Sequence, residues 1–199
     1  MEIAPRLTVD QRNEVSVELC RGLELGQQEF TKYIPDYLGR LALWLPPEQL
    51  DECLADLGGT LSASSSRIVT PVLDTVGVIY EEYDIYHQRF PEEPEEACLR
   101  RRDRLLGMLM RGLAGIDGET RQEAMLVLGQ RVFGSAQLSN GEKSRAFPLT
   151  ARKLLTTCRQ EDGDALSFYY RASMLGRLYR FLTAQRLRGG FTFEAPRPL

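Results

Sequence analysis

The single histidine of the chain, His87, closes the segment Glu81-Glu-Tyr-Asp-Ile-Tyr-His87, so that Glu81, Asp84 and His87 recur every three residues. Residues three apart drift around a helix but can share one side of it. Two carboxylates and an imidazole gathered there could ligate a metal ion and support metal-dependent catalysis. The same spacing also describes the solvated polar face of an ordinary surface helix. One histidine excludes metal sites that need two, including those of HExxH hydrolases. Any Ser–His or Cys–His nucleophile pair would have to use His87 as well. The chain has no Walker loop and no GxGxxG motif. Its glycines fall singly or in pairs where helices are expected to end. These absences point away from an enzyme, and no cofactor is expected.

Binding chemistry is more visible. Arg100-Arg-Arg-Asp-Arg104 heads a stretch whose remainder is apolar. Arg100, Arg101, Arg102 and Arg104 spread over most of a helical circumference, so they cannot all face one partner. They are candidates for contact with an acidic protein or with nucleic acid. The competing expectation is pairing with Glu95 and Glu96, three or four positions earlier. A second basic element lies near the C-terminus, from Phe168 to Arg188. At 100° per residue, Phe168, Ala172, Leu175, Leu178, Tyr179 and Leu182 gather on one side. Arg177, Arg180 and Arg188 gather on the other, with Tyr170 and Phe181 among them. Aromatic and arginine side chains together are typical of interface hot spots, and also suit stacking on single-stranded nucleic acid. If the helix packs instead on the acidic N-terminal half, its arginines become internal ion pairs and its aromatics become core.

The elements that must position these residues read as helices. Thr8-Val-Asp-Gln11 is a capping box opening the first, and Pro35 is expected to end or kink it. Pro47 suits the first turn of a helix striped by Leu50, Cys53, Leu54 and Leu57, which Gly58-Gly59 should close. Thr60 to Ser66 reads as a Ser-rich loop, and the stretch 58–66 as the place for any sub-boundary. Ile68 to Tyr86 fits a helical face, although its β-branched and aromatic residues leave a strand open. Pro94 with Glu95 and Glu96 starts the helix carrying the arginine run. Another helix runs from about Glu119 to Phe133. Asn140-Gly141 is a turn signal, and a short helix should follow Pro148.

Composition sets the frame. The chain has 199 residues, 43% hydrophobic and 27% charged, enough for one domain with an apolar core. Cys20, Cys53, Cys98 and Cys158 form no CxxC pair and read as reduced thiols. No apolar run reaches a membrane-spanning length, and the first residues resemble no secretory signal. A cytoplasmic protein away from membranes is therefore expected. Charge is lopsided: residues 1–99 hold 7 basic and 19 acidic groups, whereas residues 143–199 hold 11 and 4.

The chain is thus expected to be an all-α, single-domain, irregular bundle of about seven or eight helices. Its expected role is to bind another protein, one with an acidic surface, as an adaptor, regulator or complex subunit. The partner-binding residues would be Tyr170, Arg177, Arg180, Phe181 and Arg188, with Arg100, Arg101, Arg102 and Arg104. The alternative is a nucleic-acid-binding small subunit of a ribonucleoprotein or DNA-associated complex. A third reading is the metal-dependent enzyme at Glu81, Asp84 and His87.

Overall fold

The computed structural model describes residues 3–25, 33–63, 66–115, 117–157 and 165–187. Among the described residues there are nine α-helices and no strand. They are α1 (Val9–Glu24), α2 (Ile34–Ala42), α3 (Pro47–Ala63), α4 (Ser66–Glu81), α5 (Tyr83–Arg89), α6 (Glu95–Leu113), α7 (Gly118–Val127), α8 (Asn140–Thr157) and α9 (Ala165–Leu187). A 3₁₀ turn, Ala4–Arg6, precedes α1, and a π turn, Leu128–Val132, extends α7.

Local signals start several of these helices. The Thr8 hydroxyl accepts from the Gln11 amide at 3.2 Å, and Gln11 Oε1 accepts from the Thr8 amide at 2.9 Å. Two orphan amides are thereby satisfied. Asp117 caps α7 by accepting from the Thr120 amide at 2.7 Å. Ser139 does the same for α8, accepting from the Glu142 amide at 3.2 Å.

Four expected boundaries are corrected. Pro35 lies in the first turn of α2 instead of ending α1, because its fixed φ and missing amide suit that position. Gly58 and Gly59 lie within α3, which continues to Ala63. Within it the hydroxyls of Thr60 and Ser62 bond back to the Asp56 and Gly58 carbonyls at 3.0 Å each, which satisfies them inside the helix. Asn140-Gly141 is the first turn of α8, which passes through Pro148 instead of starting after it. The helix expected over Ile68 to Tyr86 forms, but breaks at Glu82 into α4 and α5.

α4 is the hub. It packs against α2, α3, α6, α7 and the π turn. Val72, Leu73, Val76, Val78 and Ile79 point to different sides of it, and all are buried. A helix that is apolar all round belongs inside. Close approach is needed on two sides. A Cβ on Gly39 of α2 would lie 2.6 Å from Val78, and one on Gly112 of α6 would lie 2.6 Å from Leu73.

Arginines from the middle of the chain pair with carboxylates of other helices, and Arg131 reaches the acidic first half. Arg131 pairs with Asp74 at 2.8 Å and Glu81 at 3.1 Å, and Arg145 pairs with Asp103 at 2.9 Å. α9 packs against α7, the π turn and α8.

Candidate functional site

The arginine run at the head of α6 is split in two by its helical positions. Arg101 points inward and is buried. Its Nε and Nη2 donate to the two Asp51 oxygens of α3, each at 2.7 Å, and its Nη1 donates to Glu93. Burial works against the charge, but the Asp51 and Glu93 carboxylates outweigh it and hold the guanidinium above its ordinary pKa. Arg102 pairs with Asp84 of α5 and Glu142 of α8, with its guanidinium 5.1 Å from the Tyr83 ring centre. These two arginines tie helices together instead of lying open to a partner, and their acids come from other elements, not from Glu95 and Glu96. Arg100 and Arg104 are exposed on the outer side of α6.

Glu81, Asp84 and His87 do not converge. Glu81 accepts from Arg131 and Asp84 from Arg102. His87 is exposed, with Nδ1 3.4 Å from Cys98 Sγ. Successive steps of three have carried the three side chains to different neighbours, and among the described residues no group of three His, Cys, Asp or Glu could hold a metal ion. Cys98 is not an activated nucleophile either. Burial, then its hydrogen bond to Glu93, pushes its thiol pKa up, which disfavours the thiolate.

α9 is turned relative to the expected orientation by roughly 100°, one residue of helix. Its buried side carries Met174, Leu178, Phe181 and Gln185. Phe181, expected on the open arc, is instead inserted between Phe133 and Phe147, with ring centres 5.9 and 6.0 Å away. Tyr170 is half-buried at the edge. Arg177 is also half-buried and donates to the Gly129 carbonyl at 2.8 Å. Arg180 is exposed and reaches only its own helix, at the Gly176 carbonyl, 3.4 Å away. Arg188 lies outside the described residues. Leu175 and Tyr179, expected on the buried side, are 45% and 70% exposed, and Tyr169 is 66% exposed.

The outer face of α9 therefore pairs Tyr169, Leu175 and Tyr179 with Arg180 and Arg186. Between them lie Ala172 and Gly176, both exposed. A Cβ on Gly176 would touch nothing within 4 Å, so the face is flat and open there. The helix contains four arginines and no acidic residue. Among the described residues no carboxylate pairs with Arg177, Arg180 or Arg186. This face can take part in apolar and charge-assisted contact.

A second open feature was not signalled by any motif. The 3₁₀ turn, α1 and α2 enclose an apolar recess of about 530 Å³, lined by Ile3, Leu7, Val15, Leu19, Tyr37 and Trp44, among others. Arg12 builds it, donating to the carbonyls of Ala4 at 2.9 Å and Trp44 at 3.0 Å. Arg89 lies 3.6 Å from the Trp44 ring centre and fixes the indole. Sequence reasoning reached neither this recess nor the π-turn carbonyl that anchors Arg177, because both arise from contacts between distant segments.

Among the described residues, no helix is long and apolar enough to cross a membrane. No known family model matches the chain, and searches of curated proteins and of solved structures find no significant likeness.

Proposed function

We propose that this protein is a non-enzymatic binding protein that docks an acidic partner protein on the outer face of α9. The observation that carries this reading is that α9 has apolar and aromatic residues all round it, yet among the described residues it is packed along one side only. A helix with that composition is expected to be covered on both sides. Tyr169, Leu175 and Tyr179 supply the area that partner burial would remove from water. Tyr and Arg are also the residues most often found at interface hot spots. The charge of the face selects the partner: α9 has arginines, no acids and, among the described residues, no ion pairs through Arg177, Arg180 or Arg186. An acidic helix with its own apolar stripe is complementary to it.

The nucleic-acid alternative draws less support. Two of the four arginines in the α6 run are engaged by carboxylates, so no continuous basic track remains to follow a phosphate backbone.

The test begins with mild co-purification from the native host and identification of the bound chain by mass spectrometry. Binding of the purified partner is then measured by calorimetry against wild type and Leu175→Glu/Tyr179→Glu. The expected result is an acidic partner whose affinity falls more than tenfold in the double variant, with circular dichroism unchanged. Wild-type affinity in that variant would remove α9 as the site. Light scattering that finds a dimer broken by the same substitutions would replace the acidic partner with a second copy of the chain.

A further inference from the structure

We propose that the cleft between α3 and α6 binds the phosphoryl group of a small phosphorylated molecule. The site is separate from the α9 face and stands or falls independently of it. Its walls are Asp51, Ala97, Arg100, Arg101 and Arg104, around a volume of about 270 Å³. A phosphoryl group with a few attached carbons fits this space.

The arginine run is sorted by partner. Arg101 and Arg102 are engaged by carboxylates. Among the described residues Arg100 and Arg104 pair with no carboxylate, and these two flank the cleft. They stand one turn apart, and like charges at that spacing repel each other unless an anion lies between them. Ala97, one turn earlier on the same side, contributes only a methyl group and leaves the floor open. Arg101 forms a fixed wall. The Asp51 carboxylate also faces the cleft; both its oxygens accept from Arg101, which it shares with Glu93, and Arg100 and Arg104 leave the cluster one positive charge in excess. Arg104 Nη1 lies 3.4 Å from the Asp51 carbonyl, which keeps its guanidinium at the cleft mouth.

The donor geometry favours phosphate over carboxylate. Two guanidinium forks offer more paired N–H groups than one carboxylate can accept, whereas a phosphoryl group has three terminal oxygens. The surroundings favour a small molecule over a nucleic-acid strand. The residues just before Ala97 include exposed Glu92, Glu95 and Glu96, which repel an extended polyanion.

The test is a titration of the full chain, with arginine Nε–Hε signals followed by NMR. Inorganic phosphate and glycerol phosphate are added at ionic strength held constant with chloride. The expected result is saturable one-to-one shifts of the Arg100 and Arg104 signals. Affinity should fall at least tenfold in Arg100→Gln/Arg104→Gln, with unchanged circular dichroism. Arg100→Lys/Arg104→Lys keeps the charge but loses the forks, and should bind with intermediate affinity. Shifts that never saturate, or that chloride reproduces, would overturn the site. So would wild-type affinity in the Gln variant, or saturation by an oligonucleotide but by neither phosphate probe.

Discussion

Arg177 of α9 reaches across to the π turn after α7 and donates to the Gly129 carbonyl at 2.8 Å. A π turn shifts the helical hydrogen-bond ladder by one residue and presents carbonyls to outside donors. The donor here is charged and half-buried, so the bond should contribute more than an ordinary surface contact. Arg177→Met keeps the apolar stem and removes the donor. It should cost about 1–2 kcal/mol by denaturant unfolding, with faster hydrogen exchange confined to α9 and the end of α7.

The orientation of α9 can be read from two neighbouring aromatics. Phe181 is 8% exposed between Phe133 and Phe147, and Phe181→Ala should cost about 3 kcal/mol. Tyr179 is 70% exposed, and Tyr179→Ala should stay within about 0.5 kcal/mol of wild type. A reversal of the two values in thermal unfolding would restore the orientation expected from sequence.

Arg101 should be a structural necessity. Its side chain is 8% exposed and that of Glu93 is 5% exposed, so Arg101→Met leaves Glu93 as a buried, uncompensated charge. The loss should be about 3 kcal/mol. Adding Glu93→Leu should recover most of it, because Asp51 is half-exposed and can be hydrated instead. Urea titrations of the single and double variants give both numbers.

Glu123 gives the fold a pH dependence. Burial in the α7 interface raises its pKa to about 7, with the nearby Asp74 and Glu119 charges adding to the rise and Arg131 opposing it. A carboxyl raised in the folded state binds its proton more tightly there than in the unfolded chain. Its stabilising contribution is therefore complete below the ordinary carboxyl range and is lost as pH rises through about 7. Glu123→Gln removes this loss. The Tm of Glu123→Gln relative to wild type should be higher at pH 8 than at pH 5, by calorimetry in matched buffers.

Helix type was legible wherever a capping signal or an apolar stripe stood alone. The Thr8 box and the Pro94-Glu95-Glu96 start are of this kind. Boundaries were less legible where tertiary packing overrides a breaker. Pro71 and Pro148 sit inside α4 and α8, where surrounding contacts offset one lost hydrogen bond each. Ser139 with Glu142 was a readable cap that the adjacent Asn140-Gly141 turn signal obscured. The orientation of α9 was the least accessible feature, because its apolar residues have no preferred side. Only the position of Phe133 and Phe147, brought by other helices, selects Phe181 over Tyr179 for burial. The same holds for the α6 arginines, since Asp51, Asp84 and Glu142 come from three different helices.

The hub position of α4 sets an order on synthesis. α2 and α3 emerge from the ribosome before the helix they pack on, and α6 and α7 after it. A nascent chain that stops before α4 has α1 on α2 and α3 but leaves their α4-facing sides uncovered. One that has just completed α4 still leaves its sides toward α6 and α7 uncovered. Between those lengths the chain presents its greatest unpacked surface, and there a holding chaperone would find it most readily.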